Sequence, residues 1–290
     1  MKKKNIAIML SALMIVSLAG CASKGGSMDN SDKNDTSSNE KVEVQVFIAA
    51  SLNTVMNDLA QRYEREHSNV KIVYNADSSG TLMTQIREGY ECDIFFSAAQ
   101  KQMNELEADG LVIDGTRQNV VNNQVVVVTL KDSGTKVTGL SDIAKAESIA
   151  LAGGSVPVGK YTRLAMMNQG LLPQREDPST FTTEEVSEAL NGVEISEQDN
   201  VSKVLIAVLE GSCEVGTTYY SDTFGYGDEL EILEKVSYEL TGNVIYPIAQ
   251  IVNEEADASQ KKAAEEFLKF VKSNEAKEVF ESYYFDTQVE

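Results

Sequence analysis

Three turns carry most of the chemistry this sequence can offer. Ser51 follows the run Val42 to Ala50, Ser78-Ser79-Gly80 follows a second apolar run, and Val156-Pro157-Val158-Gly159 follows a third. In each case a strand-like stretch ends, a hydroxyl or glycine residue follows, and helical spacing begins. Helices that start at the carboxyl ends of strands expose unpaired N–H groups and a positive dipole end, which suits an oxyanion without any lysine or arginine. Ser hydroxyls at such positions can donate to the same guest, although a serine at a helix start also serves as a simple cap.

Other chemistries find few residues to work with. The only histidine, His67, sits in the polar turn Glu66-His67-Ser68-Asn69, and no Ser/His/Asp or Cys/His set accompanies it. Cys92 and Cys213 each precede an apolar run and are expected to be small, half-buried thiols; a disulfide between them is open in an exported protein. They lack the close ligand spacing of a zinc site, so no metal held directly by protein ligands and no cofactor is expected.

The elements that must position these turns are legible as alternating strands and helices. Strands are expected at 42–50, 70–76, 93–98, 125–130, 149–152, 215–220 and 244–252. Leu52, Val55, Met56, Leu59 and Tyr63 mark a helix after the first strand, Leu82, Met83, Ile86 and Tyr90 one after the second, and Met103 and Leu106 one after the third. A helix should run from Val201 to Leu209, and a last one from Ser259 to Ser273. The polar stretch 168–200 reads as a surface excursion with one short helix. Such alternation implies an α/β fold with mostly parallel sheets covered on both faces.

The chain ends and the charge add constraints. Lys2, Lys3 and Lys4, an apolar run and Leu18-Ala19-Gly20-Cys21 read as an export signal over 1–20. Its last four residues look like a lipoprotein box, with Cys21 lipidated and anchored to the cell membrane by two acyl chains. Residues 21–40 are too polar to bury a core and form a tether. The formal net charge of −20 argues against a nucleic-acid partner. It does not argue against a buried anion, because charges more than about 8 Å away are largely screened by salt.

Val46 to Leu52, Ser78 to Leu82, Asp93 to Ala98, Gln100 to Met103, Val156 to Tyr161, Val215 to Asp222, Tyr246 to Ala249 and Tyr283 to Phe285 occur in an order and spacing that resembles the periplasmic molybdate-binding proteins. The resemblance implies a periplasmic-binding-protein-like fold of two lobes, 41–122 with 247–290 and 123–246, joined by two crossover strands near Asn123 and Tyr246. It implies a monomeric solute-binding protein, not an enzyme, that gives molybdate or tungstate to the membrane permease of an ABC transporter. Carried over by motif, the anion would meet Ser51, Ser79, Val158, Val201 and Tyr219, with Tyr220 one residue away as an alternative to the last. The runner-up ligands are sulfate and phosphate. An enzyme on the same scaffold would need a nucleophile or cofactor lysine in the cleft, and Lys160 reads instead as a surface residue. Asp77 stands where that family more often has a small residue; it is expected to cap its own turn through the N–H groups of Ser79 or Gly80 and to point away from the cleft.

Overall fold

In the computed structural model, which describes residues 41–289, the chain runs β1 (Val42–Ala49), α1 (Asn53–Glu66), β2 (Val70–Asp77), α2 (Ser79–Arg87), β3 (Ile94–Phe96), α3 (Gln100–Ala108), β4 (Gln118–Asn123) and β5 (Val125–Leu130). It continues with β6 (Ser148–Ala152), α4 (Pro157–Asn168), α5 (Thr183–Ala189), β7 (Glu194–Gln198), α6 (Val201–Leu209), β8 (Val215–Tyr219), β9 (Leu230–Lys235), α7 (Tyr238–Thr241), β10 (Val244–Gln250), α8 (Ala258–Val271) and α9 (Asn274–Ser282). The stretches 1–20 and 21–40 expected to be an export signal and a tether, Cys21 included, lie outside the described residues.

The strands form two five-stranded sheets, ordered β2-β1-β3-β10-β4 and β7-β6-β8-β5-β9. Each is mixed. β1 is parallel to β2 and β3, and β6 is parallel to β7 and β8, which is the part that strand–helix alternation foretells. The strands next to the passages between sheets, β10 with β4 and β5 with β9, pair antiparallel. A single residue, Gln124, separates β4 in the first sheet from β5 in the second. The return is made before β10, whose Val244 is paired with Asn123. The two sheets with their helices give a two-lobed fold.

Local sequence explains the helices. Val55, Met56, Leu59 and Tyr63 bury one face of α1, at the i, i+3, i+4 spacing that meets a sheet. Ser78 caps α2 by accepting from Thr81 N, Asn200 caps α6 by accepting from Lys203 N, and Asp257 caps α8 through Ser259 N and Gln260 N. The excursion 168–200 holds more order than its composition suggests. Besides α5, closed by a Thr182/Glu185 capping box, it contains β7, paired in parallel with β6. Glu194-Ile195-Ser196-Glu197-Gln198 is an edge strand exposed on much of its surface, so no apolar run announces it. β4 and β9 were also missed by periodicity, since Gln118–Asn123 and Leu230–Lys235 are half polar.

Cys92 and Cys213 are both buried and free, so no disulfide joins them. His67 stacks on Tyr63 with ring centroids 4.0 Å apart, a surface packing role. Among the described residues no helix is long and apolar enough to cross a membrane.

Gly159, in the first turn of α4, lies against the end of β6; a Cβ there would overlap the carbonyl oxygens of Ala152 and Gly153. Gly159→Ala is therefore expected to cost about 1–3 kcal/mol in urea unfolding. Gly227→Ala, where a Cβ meets nothing within 4 Å, should stay within about 0.5 kcal/mol of wild type. Equal stability of the two variants would contradict this packing.

Candidate oxyanion-binding site

Ser51, Ser79, Val158, Val201 and Tyr219, drawn from five separate stretches of sequence, line one small cavity. It lies outside the carboxyl ends of the parallel strands in both sheets. β1 ends at Ala49 and leads to Ser51; β2 ends at Asp77 and leads to α2. From the second sheet, β6 leads to α4, β7 leads to α6, and β8 ends on Tyr219 itself. Four helical starts thus converge on one volume, two from each sheet, and each brings amides with no partner inside its own helix.

The donors are oriented by their other bonds. Ser51 Oγ lies 2.9 Å from Tyr246 Oη, and Asn123 Nδ2 donates to that same phenol oxygen at 3.1 Å. The Asn123 amide is itself fixed: Nδ2 donates to Ser221 Oγ at 2.8 Å, and Oδ1 accepts from Gln124 N at 2.9 Å. Between Ser51 and Tyr246 either hydroxyl can donate; where Tyr246 is the donor, the Ser51 proton is left for the cavity. Ser79 Oγ accepts from Ala98 N at 2.9 Å, which likewise frees its own proton. Ser78, one residue earlier, is occupied as the cap.

Backbone geometry makes the same choice at α4 and α6. Val156 is the N-cap of α4 and Pro157 its first residue. Proline has no N–H, so Val158 supplies the first amide this helix can offer. In α6 the Asn200 side chain accepts from Lys203 N at 3.0 Å, which leaves the amide of Val201, the first helical residue, to the cavity. Tyr219 Oη is buried and has no hydrogen-bond partner of good geometry. An orphaned buried hydroxyl is costly unless a guest completes it. Burial raises the Tyr219 hydroxyl well above the ordinary phenol range, so it stays a donor. Tyr220 is placed elsewhere: its ring stacks on Tyr284 at 4.7 Å with Lys235 Nζ 3.3 Å above it.

Two carboxyl groups border this ring of donors. Asp77 departs from its expected role. Its Oδ1 accepts from Ser78 N at 2.7 Å and from Asn200 Nδ2 at 3.2 Å, and the residue lines the cavity rim. The nearest amide in the turn takes the bond expected for Ser79 or Gly80, and the second bond reaches the cap of α6 in the other lobe. Asp222 lies half-buried behind Tyr219, with Oδ2 accepting from Thr218 Oγ1 at 3.0 Å and Tyr219 N at 3.1 Å. Burial pushes its carboxyl up to about 7, against the opposing pull of those two bonds. No lysine or arginine lines the cavity. Among the described residues no group of His, Cys, Asp and Glu is placed to hold a metal ion.

The family model for bacterial extracellular solute-binding proteins matches residues 44–286, from the first strand to the last turn. The chain belongs to this family. Among its relatives is Bacillus subtilis YvgL, named as a substrate-binding lipoprotein of an ABC transporter, 29% identical over 99% of this chain and 99% of its own length. The molybdate-binding protein ModA of Escherichia coli is 28% identical over 84% of this chain and 88% of its own. A solved structure from Clostridium difficile, described as the substrate-binding domain of a molybdenum ABC transporter, is 29% identical with a TM-score of 0.62, covering 86% of this chain and all of that one.

Sequence reasoning named the five donors but not the residues that aim them. Tyr246 belongs to one of the motifs that carry the resemblance and Asn123 to an expected crossover, and the sequence implies no role at the site for either. Both act through contacts to residues far away in sequence, which local pattern does not record.

Asp222 gives a pH test. Between about pH 4 and pH 7 the folded chain keeps a proton that the unfolded chain, with an ordinary carboxyl near 3.8, has released. This stabilising contribution is complete at the acid end and is lost as pH rises through that window. Asp222→Asn keeps an acceptor for Tyr219 N and Thr218 but does not titrate. Its melting temperature relative to wild type should therefore increase from pH 5 to pH 8. A difference that stays constant would place the Asp222 titration outside this range.

Proposed function

We propose that this protein captures a fully deprotonated tetrahedral oxyanion, molybdate or tungstate, outside the membrane and delivers it to the permease of an ABC transporter. The observation that carries the reading is a buried cavity whose oriented polar groups, Ser51, Ser79, Tyr219 and the amides of Val158 and Val201, all have a proton to give. A dianion with no proton of its own is the matching guest, and hydrogen bonds to an ionised acceptor are roughly twice as strong as neutral ones. The resemblance to ModA and to the Clostridium structure supports molybdenum oxyanions over other solutes.

In this reading 41–122 with 247–290 forms one jaw and 123–246 the other, except that β4 and β10 carry the first sheet to Asn123 and back to Val244, and the anion is gripped where the jaws meet. The donors bind without offering a nucleophile or a general base, so the protein is a binder and not an enzyme. A monomer tethered through lipidated Cys21 would hold the jaws near the membrane surface, within reach of the permease. Full-length similarity to YvgL, named as a lipoprotein, supports that anchor.

Asp77 at the rim favours one second reading, a protonated oxyanion such as phosphate, whose proton would need an acceptor. Both bonds to Asp77 reach the same oxygen, Oδ1, and tie it to Ser78 and Asn200. In mildly acidic buffer, where phosphate is protonated, excess phosphate should fail to displace molybdate. Displacement that disappears in Asp77→Ala would transfer the assignment to phosphate.

Two measurements test the main reading. Millimolar molybdate should raise the melting temperature of the chain, since a ligand at about 1,000 times its dissociation constant adds about 4 kcal/mol to the folded state; an unmoved midpoint would refute it. In titration calorimetry Ser79→Ala should weaken molybdate binding by about 1.5–3 kcal/mol through loss of one charge-assisted bond. Ser79→Asp, which sets a carboxylate against the dianion, should bind none. Native affinity in Ser79→Asp would place the site elsewhere.

A further inference from the structure

Among the described residues Arg163 is the only lysine or arginine that is buried, at 0% exposure. It rises from α4, one turn behind the amide of Val158. Its Nη1 donates to Ala152 O at 2.6 Å and to Gly159 O at 3.0 Å, its Nε to Phe181 O at 3.0 Å, and its Nη2 to Thr183 Oγ1 at 3.4 Å. All four acceptors are neutral, and no carboxylate is within ion-pair distance among the pairs of the described residues. The nearest acid it feels is Glu197, which is joined to it only through the Thr183 hydroxyl.

A buried cation of this kind is costly: neutral carbonyls satisfy its N–H groups but leave its charge opposed only by the exposed Glu197, one hydroxyl away. Burial lowers the guanidinium to about 10, which still leaves it charged at neutral pH. The two carbonyls on Nη1 show where the charge is directed. Ala152 is the last residue of β6 and Gly159 follows Val158 directly, so the guanidinium clasps both ends of the turn that forms this wall of the cavity. The opposite side of the energy account is the cavity itself, which is meant to receive two negative charges and has no cation in its lining.

Resting on the oxyanion reading above, we propose that Arg163 is the buried counter-charge of the bound anion, a specificity-determining residue that makes the cavity prefer a dianion to a monoanion of the same shape. It touches no part of the ligand. Its charge acts across the Ala152–Gly159 turn, through protein rather than water, where screening is weak. A purely positional role for Arg163 is separable from this one. Misplacing the Val158 amide would lower the preference for a dianion even where the charge is kept, because an amide dipole also binds in proportion to the anion's charge, whereas a counter-charge role survives any substitution that keeps the cation.

The experiment is titration calorimetry of the full chain with molybdate, a dianion, and perrhenate, a tetrahedral monoanion, on wild type, Arg163→Met and Arg163→Lys. Because Coulomb energy scales with ligand charge, a loss of about tenfold for molybdate in Arg163→Met should come with a loss of only about threefold for perrhenate. Arg163→Lys, which keeps the charge but not the fork, should retain the molybdate-to-perrhenate preference of wild type even if both ions bind more weakly. Equal losses for the two ions in Arg163→Met, or a Lys variant whose preference drops, would overturn the proposal and leave the oxyanion reading intact. If Arg163→Met does not fold, the preference of the Lys variant decides the matter alone. Wild type that binds neither ion would instead remove the oxyanion reading, and this inference with it.

Discussion

A helix that begins at the carboxyl end of a strand leaves its first N–H groups without partners, and burying several such ends together is unfavourable unless something accepts from them. The fold meets this constraint at one place. The turns after β1, β2, β6 and β7 all empty into the same small volume, and the phenol of Tyr219 closes it with a further unpaired donor. Much of the surrounding structure can be read as a response: Pro157 removes one surplus amide, Ser78 and Asn200 consume others as caps, and the proton of Ser79 is left for the cavity because its oxygen already accepts from Ala98 N.

The charge distribution follows the same logic at a larger scale. A chain with a formal net charge of −20 is an unpromising host for an anion if charge is averaged over the surface. The acidic side chains are mostly in water, many of them paired with lysine or arginine at the surface, where such pairs contribute little. At the cavity the balance is set locally, by amide dipoles, by an Asp222 carboxyl whose burial favours its neutral form, and by an Asp77 carboxylate already tied to Ser78 and Asn200.

How much of this could be read beforehand depended on whether a feature is local. Val125 to Leu130 and Val201 to Leu209 were bounded correctly because an apolar run or a helical face is written in consecutive residues. The five cavity residues were reached through motifs that sit on such local turns. β7 is invisible because an exposed edge strand needs no hydrophobic stripe, and β4 and β9 because half their residues are polar. Asp77 was assigned to the wrong amide and without its partner across the cleft, since nothing near it in sequence announces Asn200. Arg163 looked like an ordinary helix residue, and only its complete burial sets it apart.

The single-residue link at Gln124 has a mechanical consequence. With β4 and β5 in different sheets and Val244 paired beside Asn123, both strands of the passage lie together, so any rotation of one sheet against the other must turn about that line as on an axle. Asn123 sits on the axle and at the same time grips Tyr246 and Ser221, the former in direct contact with Ser51. A torsion at the pivot therefore moves the aim of a hydroxyl at the cavity wall, and a guest that holds that hydroxyl resists the torsion. Grip and swing are geared through one amide.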